Sequence, residues 1–329
     1  MLLKLTKPFV GSEEAEAVKR VLNSGWLAEG IETRNFETEI ARFTGARFAV
    51  ATNNCTIALT LCLIAEGVKG KVAIPDFTHP ATAHAVLNAG CKPVLYDVSL
   101  DSYNLQNQPV EKTVIPVSWA GNPLTYTPLG LIIEDAACSL GADDTGASHT
   151  CCFSFHPRKL ITTGEGAVIT TNSATVAAKL RDLKNFGCGR GNYRFNDISA
   201  AIGLEQLKKL PRIIKIRREM AMVYDRLLFK TDGVKTPFMY PDHTYQTYAV
   251  LLTKGNRDQV ITNLAKKGIE TQIGTYALHL LPQFRRYKRV GTLENSALLA
   301  KNLLALPMAY DLSFDDQEFI VEALKNELI

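Results

Sequence analysis

Much that would give a protein away at first reading is missing from this chain. None of its seven cysteines forms a CxxC pair, and the number is odd, so neither a zinc knuckle nor a disulfide scaffold is in view. The six histidines are dispersed with no HExxH, which removes the familiar zinc-protease arrangement. No GxGxxG follows an apolar run and no GxxxxGK[ST] occurs, so the usual dinucleotide and triphosphate loops are absent. No apolar run approaches the roughly 18 residues of a membrane helix. The opening MLLKLTKPFV is too short and interrupted for a secretory signal. Charge of one sign is scarce: 37 basic against 33 acidic residues leave +4. The one dense basic stretch, 208–218, reads as the solvated face of a helix, so no nucleic-acid footprint is present. Adjacent Cys151 and Cys152 are poorly placed to bridge. The expectation is a soluble, cytoplasmic protein with free, mostly buried thiols and neither nucleic acid nor membrane as partner.

What is present is an ordinary globular composition over 329 residues, 46% of them apolar, enough for two domains with real cores. Ser12 is expected to cap a helix whose first turn holds Glu13 and Glu14, whose apolar face is Ala15, Val18, Val21 and Leu22, and which Gly25 ends. Phe36, Ile40 and Phe43 repeat the helical spacing until Gly45. A strand over 48–51 and a helix over 56–66 follow. Apolar runs at 71–74, 93–96, 114–117, 131–133, 152–155 and 167–170, several of them separated by helical stretches, predict a mainly parallel sheet covered on both faces. Pro211 precedes a long helix expected over 213–229. Beyond it the pattern changes to a strand over 245–253, a helix over 258–267 and a last helix capped by Ser313. This predicts a large domain, 1–234, and a small C-terminal α+β domain, 235–329, with residues 1–14 packing on the small one.

In parallel sheets ligands sit beyond the carboxyl ends of the strands. After the 131–133 run comes Glu134-Asp135-Ala136-Ala137. A buried carboxylate there needs a partner: it caps a helix, or holds a metal or a cationic ring nitrogen. After 152–155 comes Lys159, then a Gly-rich turn, Thr162 to Gly166. A lysine amine and an aspartate for a pyridinium nitrogen are what pyridoxal phosphate (PLP) chemistry requires. Asn54-Cys55-Thr56 opens a helix at a strand end, where backbone N–H groups and the Thr56 hydroxyl suit a phosphate, or simply cap the helix. Ser154 offers a second hydroxyl near Lys159.

With these residues in hand, the sequence resembles the DegT/StrS family of PLP-dependent sugar aminotransferases over nearly its whole length. The blocks that carry the resemblance are KPFVGSEEAEAVKRVLNSGWLAEG (7–30), NNCTIAL (53–59), IEDAACSLGA (133–142), FSFHPRKLITTGEGA (153–167), NYRFNDISAAIGLEQL (192–207) and GIETQIGTYALHLLP (268–282). The resemblance implies an α/β enzyme of fold type I, like aspartate aminotransferase, with a mostly parallel seven-stranded sheet and a small C-terminal domain. It implies that Lys159 is the Schiff-base lysine and Asp135 the partner of the pyridine nitrogen. Ser154, Thr56 and the backbone at Ile57, beside Cys55, would hold the phosphate. Asn192 would reach the phosphate of a neighbouring subunit's cofactor, so each site would need a homodimer. His79 aligns with the aromatic residue stacked on the cofactor ring, and Cys138 with a residue near the cofactor's phenolic oxygen. Ser118 stands where a histidine is frequent. Trp26 and His279 lie in blocks near the substrate.

The activity implied is ping-pong transfer of an amino group from an amino acid, L-glutamate in the usual case, to a keto-sugar carried on a nucleotide. Family dehydratases have histidine in place of the lysine. A dehydratase, a non-catalytic PLP-binding homologue and a cyclitol ketone, scyllo-inosose, as acceptor are the alternatives.

Overall fold

The structure is a computed structural model that describes residues 2–124, 128–142, 149–189, 191–238 and 240–328, the side chain of Cys188 excepted. Its main sheet runs, edge to edge, Phe48–Thr52, Ala167–Thr171, Thr150–Ser154, Leu131–Asp135, Thr113–Val114, Lys71–Pro75, Lys92–Tyr96 and Lys288–Val290. Only Ala167–Thr171 runs against its neighbours; the other pairings are parallel. The apolar runs are strands because both faces of the sheet are covered, so each side chain is buried whichever way it points. Helices Cys55–Ala65, Pro80–Asn88 and Ala174–Lys184 build one covering layer. Ile31–Thr44 and the first half of Asp197–Leu228 build the other.

The sheet has eight strands rather than seven. The extra one, Lys288–Val290, is exposed and comes from the C-terminal part of the chain. The same segment pairs Tyr276–Ala277 with Phe77–Thr78 and sends Leu278, Phe284 and Leu293 into the core of the main sheet. A second sheet, Gln272–Ile273, Leu303–Leu306, Tyr248–Leu252 and Val234–Lys235, is antiparallel throughout. Its core also receives Leu3, and Leu3 bridges to Ile269.

Three helix expectations are corrected. The first helix, Ser12–Ser24, is capped by Gly11, whose N–H donates to the Glu14 carboxylate at 2.7 Å, and not by Ser12. It buries Glu14, Ala17 and Val21, whereas Leu22 is exposed. The face is turned because Gln206 and Lys209 hold the Glu14 carboxylate at 2.8 and 2.7 Å. Pro211 does not start a helix; it lies inside one continuous helix, Asp197–Leu228, capped by the Asn196 side chain. Proline normally costs about 3 kcal/mol inside a helix. Here Leu210, Ile213 and Ile214 are buried on the main core while Met220, Tyr224 and Leu228 are buried on the small one, and that burial outweighs the cost. Gly203 allows the approach: a Cβ there would stand 2.7 Å from the Phe36 ring. Among the described residues no helix is long and apolar enough to cross a membrane.

Candidate active site

At the carboxyl ends of the central strands a cavity of about 1050 Å³ opens between the two sheets. Lys159, Asp135, Ser154, Cys55, Thr56, Ile57, His79 and Cys138 all line it, although they are spread over about a hundred positions. Each is delivered by a strand end or by the turn after one, as the topology of an open parallel sheet dictates.

Asp135 is the last residue of its strand, 6% exposed. Its Oδ2 accepts the Thr82 hydroxyl at 2.7 Å and its Oδ1 the Ala137 N–H at 3.3 Å. Burial pushes its pKa up, against the opposing pull of Thr82 and the Lys159 charge. Lys159 Nζ donates to Cys138 Sγ at 3.1 Å. Burial works against the Lys159 ammonium, but the Cys138 sulfur and the Asp135 carboxylate outweigh it and raise the pKa. Cys55, whose Sγ lies 3.7 Å from the Cys152 carbonyl, is pushed well above the usual thiol value by burial. His79 caps the helix Pro80–Asn88, its Nδ1 accepting the Ala81 N–H at 3.2 Å. Its ring faces the cavity, and burial with the Lys159 charge lowers its pKa.

The helix Cys55–Ala65 points its N-terminus into the same space. The Asn54 side chain already accepts the Ile57 N–H at 3.0 Å, so that donor is not free in this arrangement. Among the described residues the Thr56 hydroxyl has no such partner. Ser154 Oγ accepts the His156 N–H at 3.4 Å. These groups fit PLP: an amine for its aldehyde, a buried carboxylate with no ion pair among the described residues for its ring nitrogen, and a hydroxyl at a helix N-terminus for its phosphate.

Three expected residues stand apart. Trp26 is 61% exposed, its Nε1–H donating to the Glu29 carbonyl at 3.4 Å. His279 does not line the cavity; Nδ1 meets Asp76 Oδ2 at 2.6 Å and its N–H donates to Asp76 Oδ1 at 2.8 Å. Asn192 is exposed, and its Oδ1 accepts from Arg194 N–H and Nε at 3.2 and 3.0 Å. Among six cysteines described, Cys55, Cys62, Cys91, Cys138, Cys151 and Cys152, no disulfide forms.

Several contributors were not legible in the sequence. Thr82 holds Asp135 from one helical turn beyond His79, and Thr78 lies 3.1 Å from it. Arg217 is a buried guanidinium behind the cavity wall. It donates to the carbonyls of Tyr245 and Gln246 at 3.1 and 3.0 Å and to the Thr6 hydroxyl at 3.4 Å. Burial among neutral oxygens lowers its pKa to about 10.

The sequence profile of the DegT/DnrJ/EryC1/StrS aminotransferase family matches residues 8–325. A UDP-4-amino-4-deoxy-L-arabinose--oxoglutarate aminotransferase of Shewanella sediminis is 30% identical over 98% of this chain and 97% of its own. The structure of DesI in the presence of its TDP-sugar product superimposes with a TM-score of 0.91 at 28% identity, covering 99% of this chain and 92% of that one. A GDP-4-keto-6-deoxymannose-3-dehydratase with a trapped PLP-glutamate geminal diamine shares the fold, with a TM-score of 0.88 at 21% identity over 98% of this chain and 99% of its own.

Proposed function

The chain belongs to the DegT/DnrJ/EryC1/StrS aminotransferase family, and from that premise we propose that it moves an amino group from L-glutamate to a keto-sugar linked to a nucleotide. The observation that carries the reading is the cavity that joins Lys159, Asp135 and the Thr56 helix end. PLP supplies an electron sink for the carbanion formed at the donor's α-carbon. Asp135, short of a cation, keeps the ring nitrogen protonated. Thr56 and Ser154 bind the phosphate at the positive end of the Cys55–Ala65 helix. Lys159 secures the cofactor and then carries a proton to and from the substrate carbon as general base and acid. His79 covers the ring with a neutral imidazole. Cys138, hydrogen-bonded to Lys159, orients the amine.

Two copies of the chain build the sites, with Asn192 donated from one to the other; among the described residues its side chain contacts Arg194. The reducing, cytoplasmic setting proposed with this activity is in keeping with the six described cysteines, which are unbridged.

The purified protein is expected to be yellow. L-Glutamate bleaches the band, and a member of a panel of nucleotide-linked 3-keto and 4-keto hexoses restores it. Borohydride fixes the cofactor on the peptide carrying Lys159, and Lys159→Ala retains cofactor without turnover. Labelling of a different lysine overturns the assignment.

A further inference from the structure

We propose that Arg158 binds the α-carboxylate of the amino donor, an inference that rests on the transaminase reading above. Arg158 fills the variable position of the His-Pro-x-Lys block, next to the lysine that handles the donor's α-proton. Both residues line the same cavity, which places the guanidinium on the wall of the space that the donor enters. Its backbone carbonyl accepts Gln246 Nε2 at 2.8 Å, and its Nη1 donates to Gln272 Oε1 at 2.8 Å. All three side chains line the cavity with Lys159. Gln272 orients the guanidinium without cancelling its charge. Among the described residues no carboxylate forms an ion pair with Arg158, and most of its five N–H donors remain to bind a ligand.

The other basic groups on the wall do not compete. Lys159 is occupied by the cofactor. His79 and His156 are both held below the usual histidine value by burial, which favours their neutral rings. Of the two carboxylates on the wall, Asp135 is tied to Thr82 and Ala137, and Glu165 is 64% exposed, so solvent and salt screen its charge. A planar carboxylate entering this space meets one permanent cation, whose fork matches it in a bidentate pair.

The nucleotide's diphosphate is the other anion to consider. The space beyond Arg158, a second cavity of about 400 Å³, is also walled by Glu270, whose carboxylate accepts the Leu5 N–H at 3.0 Å. That charge repels a diphosphate and leaves the Lys159 side of Arg158 as the better anion position.

The test compares wild-type, Arg158→Gln and Arg158→Lys holoenzymes, with an unchanged cofactor band as the check on folding. In single-turnover bleaching, Arg158→Gln should need about 30-fold more L-glutamate for half-saturation, the scale of a lost charged hydrogen-bond pair. Arg158→Lys should recover part of the loss. Conversion of the aminated cofactor by the nucleotide-linked ketone should be unaffected. Calorimetric binding of glutarate, which requires no turnover, should disappear in Arg158→Gln. Unchanged glutamate saturation overturns the inference, and so does a defect confined to the nucleotide-sugar half-reaction. Failure of glutamate to bleach the wild-type band overturns the transaminase reading instead. In that event the glutarate titration decides for Arg158: loss in Arg158→Gln upholds carboxylate binding and retention refutes it.

Discussion

Asp135 and Glu134 are neighbours on one strand and face opposite sides of the sheet. Both are buried, at 6% and 2% exposure, yet their surroundings differ. Glu134 is closed on itself: Ser118 donates to Oε1, while His149 Nε2 lies 2.6 Å and Cys151 Sγ 3.4 Å from Oε2. Asp135 has a hydroxyl and one long backbone contact, and it opens on the cavity beneath Lys159. A carboxylate whose lone pairs are filled by its own fold contributes stability and specificity of packing. One left under-supplied, with its pKa raised by burial, has lone pairs open to a cation that enters the cavity. Burial is shared by the two and does not separate them; the completeness of their hydrogen bonding does.

The sharpest way to break this contrast is Asp135→Asn. It preserves shape and removes the charge, and the transamination rate should fall at least about a hundredfold, the scale of one preorganised electrostatic contact. Near-normal turnover in a stopped-flow assay would remove Asp135 from the chemistry. Glu134→Gln should do the reverse. It should cost about 1–3 kcal/mol of stability, as one buried charged partner is lost, and lower the thermal midpoint, while the rate per folded, cofactor-loaded site stays within about threefold. A large rate defect at full cofactor occupancy would erase the distinction. Thr82→Val is the mildest probe. Losing one hydrogen bond to Asp135 should slow turnover by about two- to tenfold, with the cofactor band shifted as the environment of the ring nitrogen changes. No change in either would show that Asp135 is positioned without Thr82.

The sequence made Asp135 and Lys159 legible because each sits in a contiguous block with an unusual order of residues, and because strand ends are where an open sheet places its ligands. It could not distinguish Asp135 from Glu134 beyond their order, since what sets them apart is supplied by Thr82, Ser118, His149 and Cys151, all distant along the chain. The same limit hid Thr82, whose role depends on a contact across 53 positions. His279 illustrates the converse: its block adjoins the cavity, but Asp76 draws the imidazole aside. The helix expected to begin after Pro211 instead runs through it; local propensity weighs proline heavily and cannot see that two cores bury the helix on either side of it. In the main sheet the strands were legible as apolar runs, except that Lys288–Val290 is short, exposed and polar and carries no such signal; the short pieces Phe77–Thr78, Val234–Lys235, Gln272–Ile273 and Tyr276–Ala277, and the strand Leu303–Leu306, were not anticipated.

Arg217 gives the site a mechanical character. Its guanidinium fastens the long helix to the carbonyls at 245 and 246 and to Thr6 in the N-terminal segment. A charge so deeply enclosed is stable only while all these neutral oxygens stay in place, since withdrawing any of them leaves a cation under-solvated at high cost. The three segments are thus latched together by one buried charge. Gln246, and through it the backbone of Arg158, rides on that latch and forms a fixed jamb. That side of the cavity is therefore the one least able to give way.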